Sequence, residues 1–335
     1  MDSFKEVLSS LPILTLELVY RAETPIQLHQ YPGTSFRGIL GDNLKRNVCN
    51  SPELECKNCF FNTQCVYPFL YESPSWLHLP LLSENRQFQN QSHVLHPIVL
   101  NYFGDKKIAK EQQFKLNITL IGLRAIKAKD DVTRALEAFD LNGKSPGRAQ
   151  LISVNAVFSD EHGLARCINA SDVPPTPESV RLTFDTPLKM KFSGEYISEH
   201  TLNSMAFLSG LQRRIEQLYL LHGTIKNKQP NISPSFKTLD AITFTPIHSK
   251  SVKWNRYSSK QKKIIPMKGI SGEYQISGQD LKKLWPWLWL GQFLQLGKST
   301  LMGLGKYSLD AIDDKPKVMG EGVELTAEKL KVIAD

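Results

Sequence analysis

The chain has no uninterrupted apolar run near the roughly 18 residues that a membrane-spanning helix requires, so such a helix is not expected. Its opening, Met1-Asp-Ser-Phe-Lys-Glu6, is too acidic and polar for the basic start of a secretory signal, which points to a cytoplasmic protein. Cysteine is scarce, five in 335 residues, and an odd count argues against a secreted disulfide framework. Low-complexity and collagen-like stretches are absent as well, and 41% hydrophobic with 22% charged residues is the balance of an ordinary folded chain. At this length two domains of about 150 residues each are expected.

A modest basic excess is present, 41 Lys and Arg against 33 Asp and Glu, for a net charge of +8. Its distribution says more than its size. Between Lys250 and Lys268 the cations Arg256, Lys260, Lys262 and Lys263 are interleaved with Trp254 and Tyr257. Cations suit phosphates and rings suit unpaired bases, so Arg256, Tyr257, Lys260, Lys262 and Lys263 are candidate RNA contacts. A solvated lysine-rich face is the other reading of the same segment.

Alternation marks strands at Phe114–Leu120 and Val180–Phe184. Helical spacing is seen at Phe36, Leu40, Leu44 and Val48, at Val132, Leu136 and Phe139, and most strongly from Met205 to His222. A further helix is expected from Gln279 to about Leu290, with Trp285, Trp287 and Trp289 packed in a core. Each half then reads as an α+β layer, giving two tandem ferredoxin-like (RRM-like) domains, antiparallel sheets with helices on one face. The proline-rich run Asn169 to Ser179 divides them, placing residues 1–172 in the first domain and 173–335 in the second.

Gly291-Gln-Phe-Leu-Gln-Leu-Gly297-Lys298-Ser299 comes close to a nucleotide phosphate loop but has five residues between its glycines where that motif has four. Those five are also the apolar end of a helix, so no nucleotide cofactor is expected. Read forward, residues 297–307 place Gly297, Gly303 and Gly305 so that a tight turn leads into a strand at Lys306–Leu309. Glycines there allow close approach to a phosphate, and Lys298, Ser299, Thr300 and Lys306 supply charge and donors.

This segment resembles the C-terminal glycine-rich loop of the RAMP superfamily, specifically of the CRISPR repeat-RNA-processing endoribonuclease family. Three further blocks are similar in order and spacing: Arg256-Tyr-Ser-Ser-Lys-Gln261 followed by Gly269-Ile-Ser-Gly272; Pro32-Gly-Thr-Ser-Phe-Arg-Gly38 leading to a cysteine cluster, as in a cysteine-containing branch of the family; and His96-Pro-Ile-Val-Leu100. The resemblance implies cleavage of CRISPR repeat RNA to guide RNA by attack of a 2′-hydroxyl on the adjacent phosphorus. The products would be a 2′,3′-cyclic phosphate and a 5′-hydroxyl, made without a catalytic metal. It also implies work alongside other CRISPR effector subunits.

Such a reaction needs a base, an acid and a cation near the developing charge. His29 stands just ahead of a helix N-terminus, where a phosphate is favoured. Tyr31 is its hydroxyl partner, and Lys45 or Arg37, eight residues apart on one helical face, would stabilise charge. A surface-loop role for His29 stands beside that assignment. His222, on an apolar stripe, is expected in the core, while His93 and His96 adjoin a strand with nothing to orient them.

Cys49, Cys56, Cys59 and Cys65 fall within residues 49–65 and include a Cys-x-x-Cys pair, the usual geometry of a structural zinc site. Reduced cysteines packed in an insertion are the alternative. The competing functional reading is a non-catalytic RAMP subunit that holds the repeat-derived end of the guide RNA. A zinc-stabilised interaction module would explain the cysteines alone.

Overall fold

The computed structural model describes residues 2–78, 81, 88, 92–141, 147–225, 241–258 and 262–312. A short helix α1 (Asp2–Ser10) precedes the first sheet. That domain then runs β1 (Ile13–Ala22), β2 (Ile26–Gln27), α2 (Gly33–Val48), β3 (Ile98–Phe103), β4 (Lys107–Ile108), β5 (Gln113–Ile121), α3 (Leu123–Lys127), α4 (Lys129–Glu137), β6 (Ala138–Leu141) and β7 (Gly147–Ala156). The second runs β8 (Ser179–Phe184), the hairpin β9 (Lys191–Phe192) and β10 (Glu195–Tyr196), α5 (Ser204–His222), β11 (Thr243–Ser258), β12 (Lys263–Ser277), α6 (Leu281–Leu294) and β13 (Tyr307–Ile312).

The two sheets share one plan. Their orders are β3-β5-β1-β7-β6 and β11-β12-β8-β13, antiparallel throughout. Counting only the four main strands in chain order, each reads 2-3-1-4, the ferredoxin-like topology expected from the strand and helix sequence. The alternating strand near residue 180 is the central β8, and the strongest helical stripe is α5. Two elements differ in extent from expectation. Phe139, which continues the spacing of Val132 and Leu136, belongs to β6, because the chain leaves the helix at Glu137 to pair with β7. The tryptophan helix continues to Leu294, carrying Pro286 inside it.

Leu14, Leu16, Leu18 and Tyr20 of β1 bury one face beneath α2 and α4, together with Phe36, Leu40, Leu44, Val132 and Phe139. The opposite face is also covered: Thr15 is buried and its hydroxyl meets that of Thr119 at 3.2 Å. The second core is built by α5 and α6 on β8 and β12, and α1 joins it through Phe4, whose ring meets Trp287 edge-on at 5.0 Å. Chain order and spatial grouping therefore diverge at the N-terminus, where the first helix packs in the second core. Ile13, Val99 and Ile121 of the first sheet belong to this same cluster, giving the domains a shared apolar seam.

The β11–β12 hairpin is longer than its sheet. β8 pairs with β12 only from Glu273 to Ser277, while β11 pairs with it from Thr243 to Ser258. Beyond Glu273 the remainder is chiefly a two-stranded arm, which is why Pro266 is tolerated in β12. This arm carries the cationic strip read from the sequence.

Candidate nucleic-acid interface and active site

The arm brings Trp254 against Tyr31, with ring centroids 4.6 Å apart and planes tilted by 54°. The contact joins β11 of the second domain to the start of α2 in the first. Between them lies a cleft of about 630 Å³ whose lining includes His29, Tyr31, Asp42, Arg46, Trp254 and Arg256. His29 and Tyr31 are thus brought together, and Arg256 joins them from the other domain.

Burial raises the Tyr31 phenol above its ordinary value, so the group remains an O–H donor near neutral pH. Arg256 is part-buried and its Nε has no hydrogen-bond partner. Its pKa is lowered by burial first and by Arg37 next, with Tyr71 opposing. A guanidinium with a buried unpaired donor and a cationic neighbour is suited to receive an anion.

The two helical cations selected from the sequence point elsewhere. Arg37 donates to the Tyr71 hydroxyl at 2.8 Å, its guanidinium 4.3 Å from the ring centroid. Lys45 lies 5.7 Å from the Tyr67 ring. They occupy the helical face around Gly41, where a side chain would collide with the Tyr71 ring. The face toward His29 carries Ser35, Gly38, Ile39, Asp42 and Arg46. Arg46 is the cation that sequence reasoning passed over. Its spacing of four from Asp42 and eight from Gly38 marked that face, but nothing in the sequence distinguished it from the Arg37 face.

The glycine-rich segment is packed tightly between the domains. Thr300–Met302 form a single 3-10 turn flanked by Ser299 and Gly303, both left-handed at φ 66° and 71°. Gly297, Gly303 and Gly305 each lie against a protein carbonyl, those of Lys189, Leu100 and Leu296 respectively. At the start of α2 a side chain on Gly33 would strike the Met302 carbonyl, so this glycine lets the loop dock on the helix. Thr300 is buried and accepts from Arg214 at 3.2 Å, while Arg214 also donates to the Leu294 carbonyl at 3.0 Å.

Lys306 donates to the Tyr307 carbonyl at 2.8 Å, and burial lowers its pKa, with Asp185 opposing. Lys298 is the exposed cation of the loop. A second cleft of about 300 Å³ lies between the loop and residues 93–96, which lead into β3, and includes Arg37, His93, His96, Arg214, Lys298 and Ser299 in its lining. His96 receives or gives a hydrogen bond at the Ser73 hydroxyl, 2.9 Å away, and its pKa is lowered to about 3, by burial first and then by Arg37. It is neutral near pH 7. His222 is in the core with Nε2 2.8 Å from the Leu95 carbonyl, as its position on the stripe implied.

Along the cationic arm, Lys262 and Lys263 are exposed at the hairpin end, Tyr257 lies in β11, and Lys260 falls outside the described residues. The four cysteines of residues 49–65 are free and part-buried. Cys56 is pushed up to about 11, by burial first and Glu72 next, with Lys45 opposing and Cys65 and Cys49 adding to the rise. The thiols are neighbours, yet among the described residues no three His, Cys, Asp or Glu side chains form a group that could hold a metal ion. No described helix is long and apolar enough to cross a membrane.

A family model described as an N-terminal domain matches residues 11–177, and the model of the CRISPR-associated endoribonuclease Cas6 matches residues 182–307. No curated protein matches the chain. Among solved structures, a Cas6 product complex aligns at 16% identity and TM-score 0.49 over 89% of this chain and 100% of that one. Thermus thermophilus Cas6 aligns at 14% identity and TM-score 0.48 over 90% and 99%. The partial Cas6-RT-Cas1–Cas2 complex aligns at 10% identity and TM-score 0.55, over 92% of this chain and 48% of that one, a likeness of fold. The Cas6 match therefore lies on the domain that carries the arm and the glycine loop, and the chain as a whole shares the fold of the solved Cas6-containing complex.

Proposed function

We propose that this protein binds CRISPR repeat RNA and cuts it in the cleft between α2 and the β11–β12 arm. The observation that carries the reading is the Tyr31–Trp254 contact, which gathers a histidine, a protonated phenol and two arginines at the junction of the domains. The match of residues 182–307 to the Cas6 endoribonuclease model supports processing of repeat RNA. In the finer mechanism proposed, His29 takes the proton of the attacking 2′-hydroxyl and the Tyr31 phenol gives its proton to the leaving 5′-oxygen. Arg46 and Arg256 face the charge that develops on phosphorus, and the products are a 2′,3′-cyclic phosphate and a 5′-hydroxyl. Every group in this scheme comes from the chain itself, so cutting should persist in EDTA. The guide RNA would remain a ligand for other CRISPR effector subunits.

The non-catalytic reading has one observation in its favour: Arg37 and Lys45 are committed to Tyr71 and Tyr67 and leave His29 with a different cation. Labelled repeat RNA incubated in EDTA decides between them. Cleaved product supports the nuclease, and bound but intact RNA supports the holding role.

The loop lysines should separate cleanly. Lys298→Ala is expected to weaken RNA binding and reduce the slope of log affinity against log salt by about 1, with unchanged thermal stability. Lys306→Ala should instead lower stability, because its ammonium is a part-buried donor to the Tyr307 carbonyl. Equal stability of the two variants would contradict this division.

For Cys49, Cys56, Cys59 and Cys65 a structural zinc ion stays a proposal carried by their sequence spacing alone, since the described side chains do not gather three metal ligands. Elemental analysis of purified protein should find one zinc per chain, lost together with thermal stability in Cys56→Ser. Metal-free protein of equal stability would leave the cysteines as packed thiols.

A further inference from the structure

The hairpin β9–β10 carries Tyr196 into the densest cluster of cations around a single ring among the described residues. The ammonium groups of Lys191, Lys189, Lys268 and Lys298 lie 4.8, 5.6, 5.7 and 6.0 Å from its centroid. They come from three pieces of chain: Lys189 and Lys191 from the segment entering the hairpin, Lys268 from β12 and Lys298 from the glycine-rich loop. Leu188 bridges to Ile270 of β12, setting Lys189 near Lys268, and the backbone N–H of Lys298 donates to the Lys189 carbonyl at 2.7 Å. Gly297, at φ 84°, is what lets the loop reach that carbonyl.

One ring has two faces and cannot satisfy four ammonium groups, which also repel one another. Among the described residues none of the four forms an ion pair. The nearby Glu199 is engaged elsewhere, by the Ser251 hydroxyl and beside His200. Tyr196 is 38% exposed. A polyanion carrying flat rings would neutralise the cations and cover the aromatic surface together.

A cleft of about 550 Å³ runs from Tyr196 past Lys268 and Lys253 to Trp254, the residue that also closes the His29 cleft. On the reading that RNA is cut beside His29, we infer that Tyr196 is a stacking platform for an unpaired base of the strand leaving that cleft, with the four lysines on its flanking phosphates. The site selects single-stranded RNA. Within a duplex the base faces are already stacked and cannot meet a protein ring.

The test uses the full chain with a single-stranded repeat-flank oligoribonucleotide, and the same oligonucleotide made abasic at each unpaired position in turn, followed by fluorescence anisotropy. Tyr196→Ala should weaken binding of the intact strand about 10-fold and leave unchanged the binding of the strand lacking the stacked base, while Tyr196→Phe behaves as wild type. Lys268→Ala should weaken both strands alike and reduce the salt slope by about 1. If Tyr196→Ala binds the intact strand as wild type does, the platform is refuted. Cleavage of repeat RNA in EDTA, measured on the same preparations, keeps the two proposals apart. A wild type that leaves RNA intact yet shows the Tyr196 dependence retains the platform and loses the nuclease. A wild type that cuts, with no Tyr196 dependence of binding, retains the nuclease and loses the platform.

Discussion

His29→Ala is expected to slow cleavage of repeat RNA by about 10²–10⁴-fold, the usual worth of a positioned proton-transfer group, while RNA binding stays close to wild type. The reasoning starts from exposure. His29 is solvent-exposed in the connection between β2 and α2, so its removal should cost the fold little and the rate can be read as chemistry. Tyr31→Phe is the companion variant. It keeps the ring that packs on Trp254 and removes only the O–H, so it should slow cleavage without opening the cleft. Single-turnover cleavage with saturating enzyme measures both. An unchanged rate in His29→Ala would move proton transfer to another group, with His93 or His96 in the neighbouring cleft the next to be tested.

The second large effect is expected on stability. Gly305→Ala should lower the unfolding free energy by about 3–5 kcal/mol, whereas Gly303→Ala should lower it by about 1–2 kcal/mol. Both glycines are left-handed, at φ 75° and 71°, and both variants carry that backbone cost. Their surroundings differ. A methyl group at Gly303 meets the Leu100 carbonyl at 3.1 Å, a tight contact that a small shift relieves. At Gly305 it collides with the Leu296 carbonyl, and the Gly305 carbonyl is itself held by the Leu296 N–H at 2.9 Å, so neither strand can retreat. Urea denaturation of the two variants checks the difference. Equal losses would mean that the segment from Leu296 to Gly305 is more yielding than its packing implies.

Much of the fold was legible because amphipathic elements advertise themselves. The α5 stripe from Leu208 to His222 and the alternation of β5 and β8 correspond to what formed, whereas Met205, expected on the same stripe, is exposed. β1 alternates too, with Leu14, Leu16, Leu18 and Tyr20 set against Thr15, Glu17 and Arg21, but its burial does not alternate because both faces of this central strand are covered. The cationic strip was visible as composition. That it forms an arm extending past its own sheet was not, because strand length beyond the partner depends on tertiary pairing. The candidate site was half legible: His29 and Tyr31 meet in the cleft, but the choice between Arg37 and Arg46 depends on which face of α2 the other domain covers. The Tyr196 hairpin had only its Ser193-Gly194 turn as a local sign, and its strands of two residues leave no period to detect.

The Tyr31–Trp254 contact has a bearing on biosynthesis. More than two hundred residues separate the two rings, so the ribosome completes the whole first sheet well before the tryptophan emerges. A chain interrupted anywhere in that interval carries His29 but lacks the wall formed by Trp254 and Arg256. On the proposed reading of the cleft, cutting competence is withheld from unfinished copies and arrives only when the arm folds back, late in translation, onto a helix already in place.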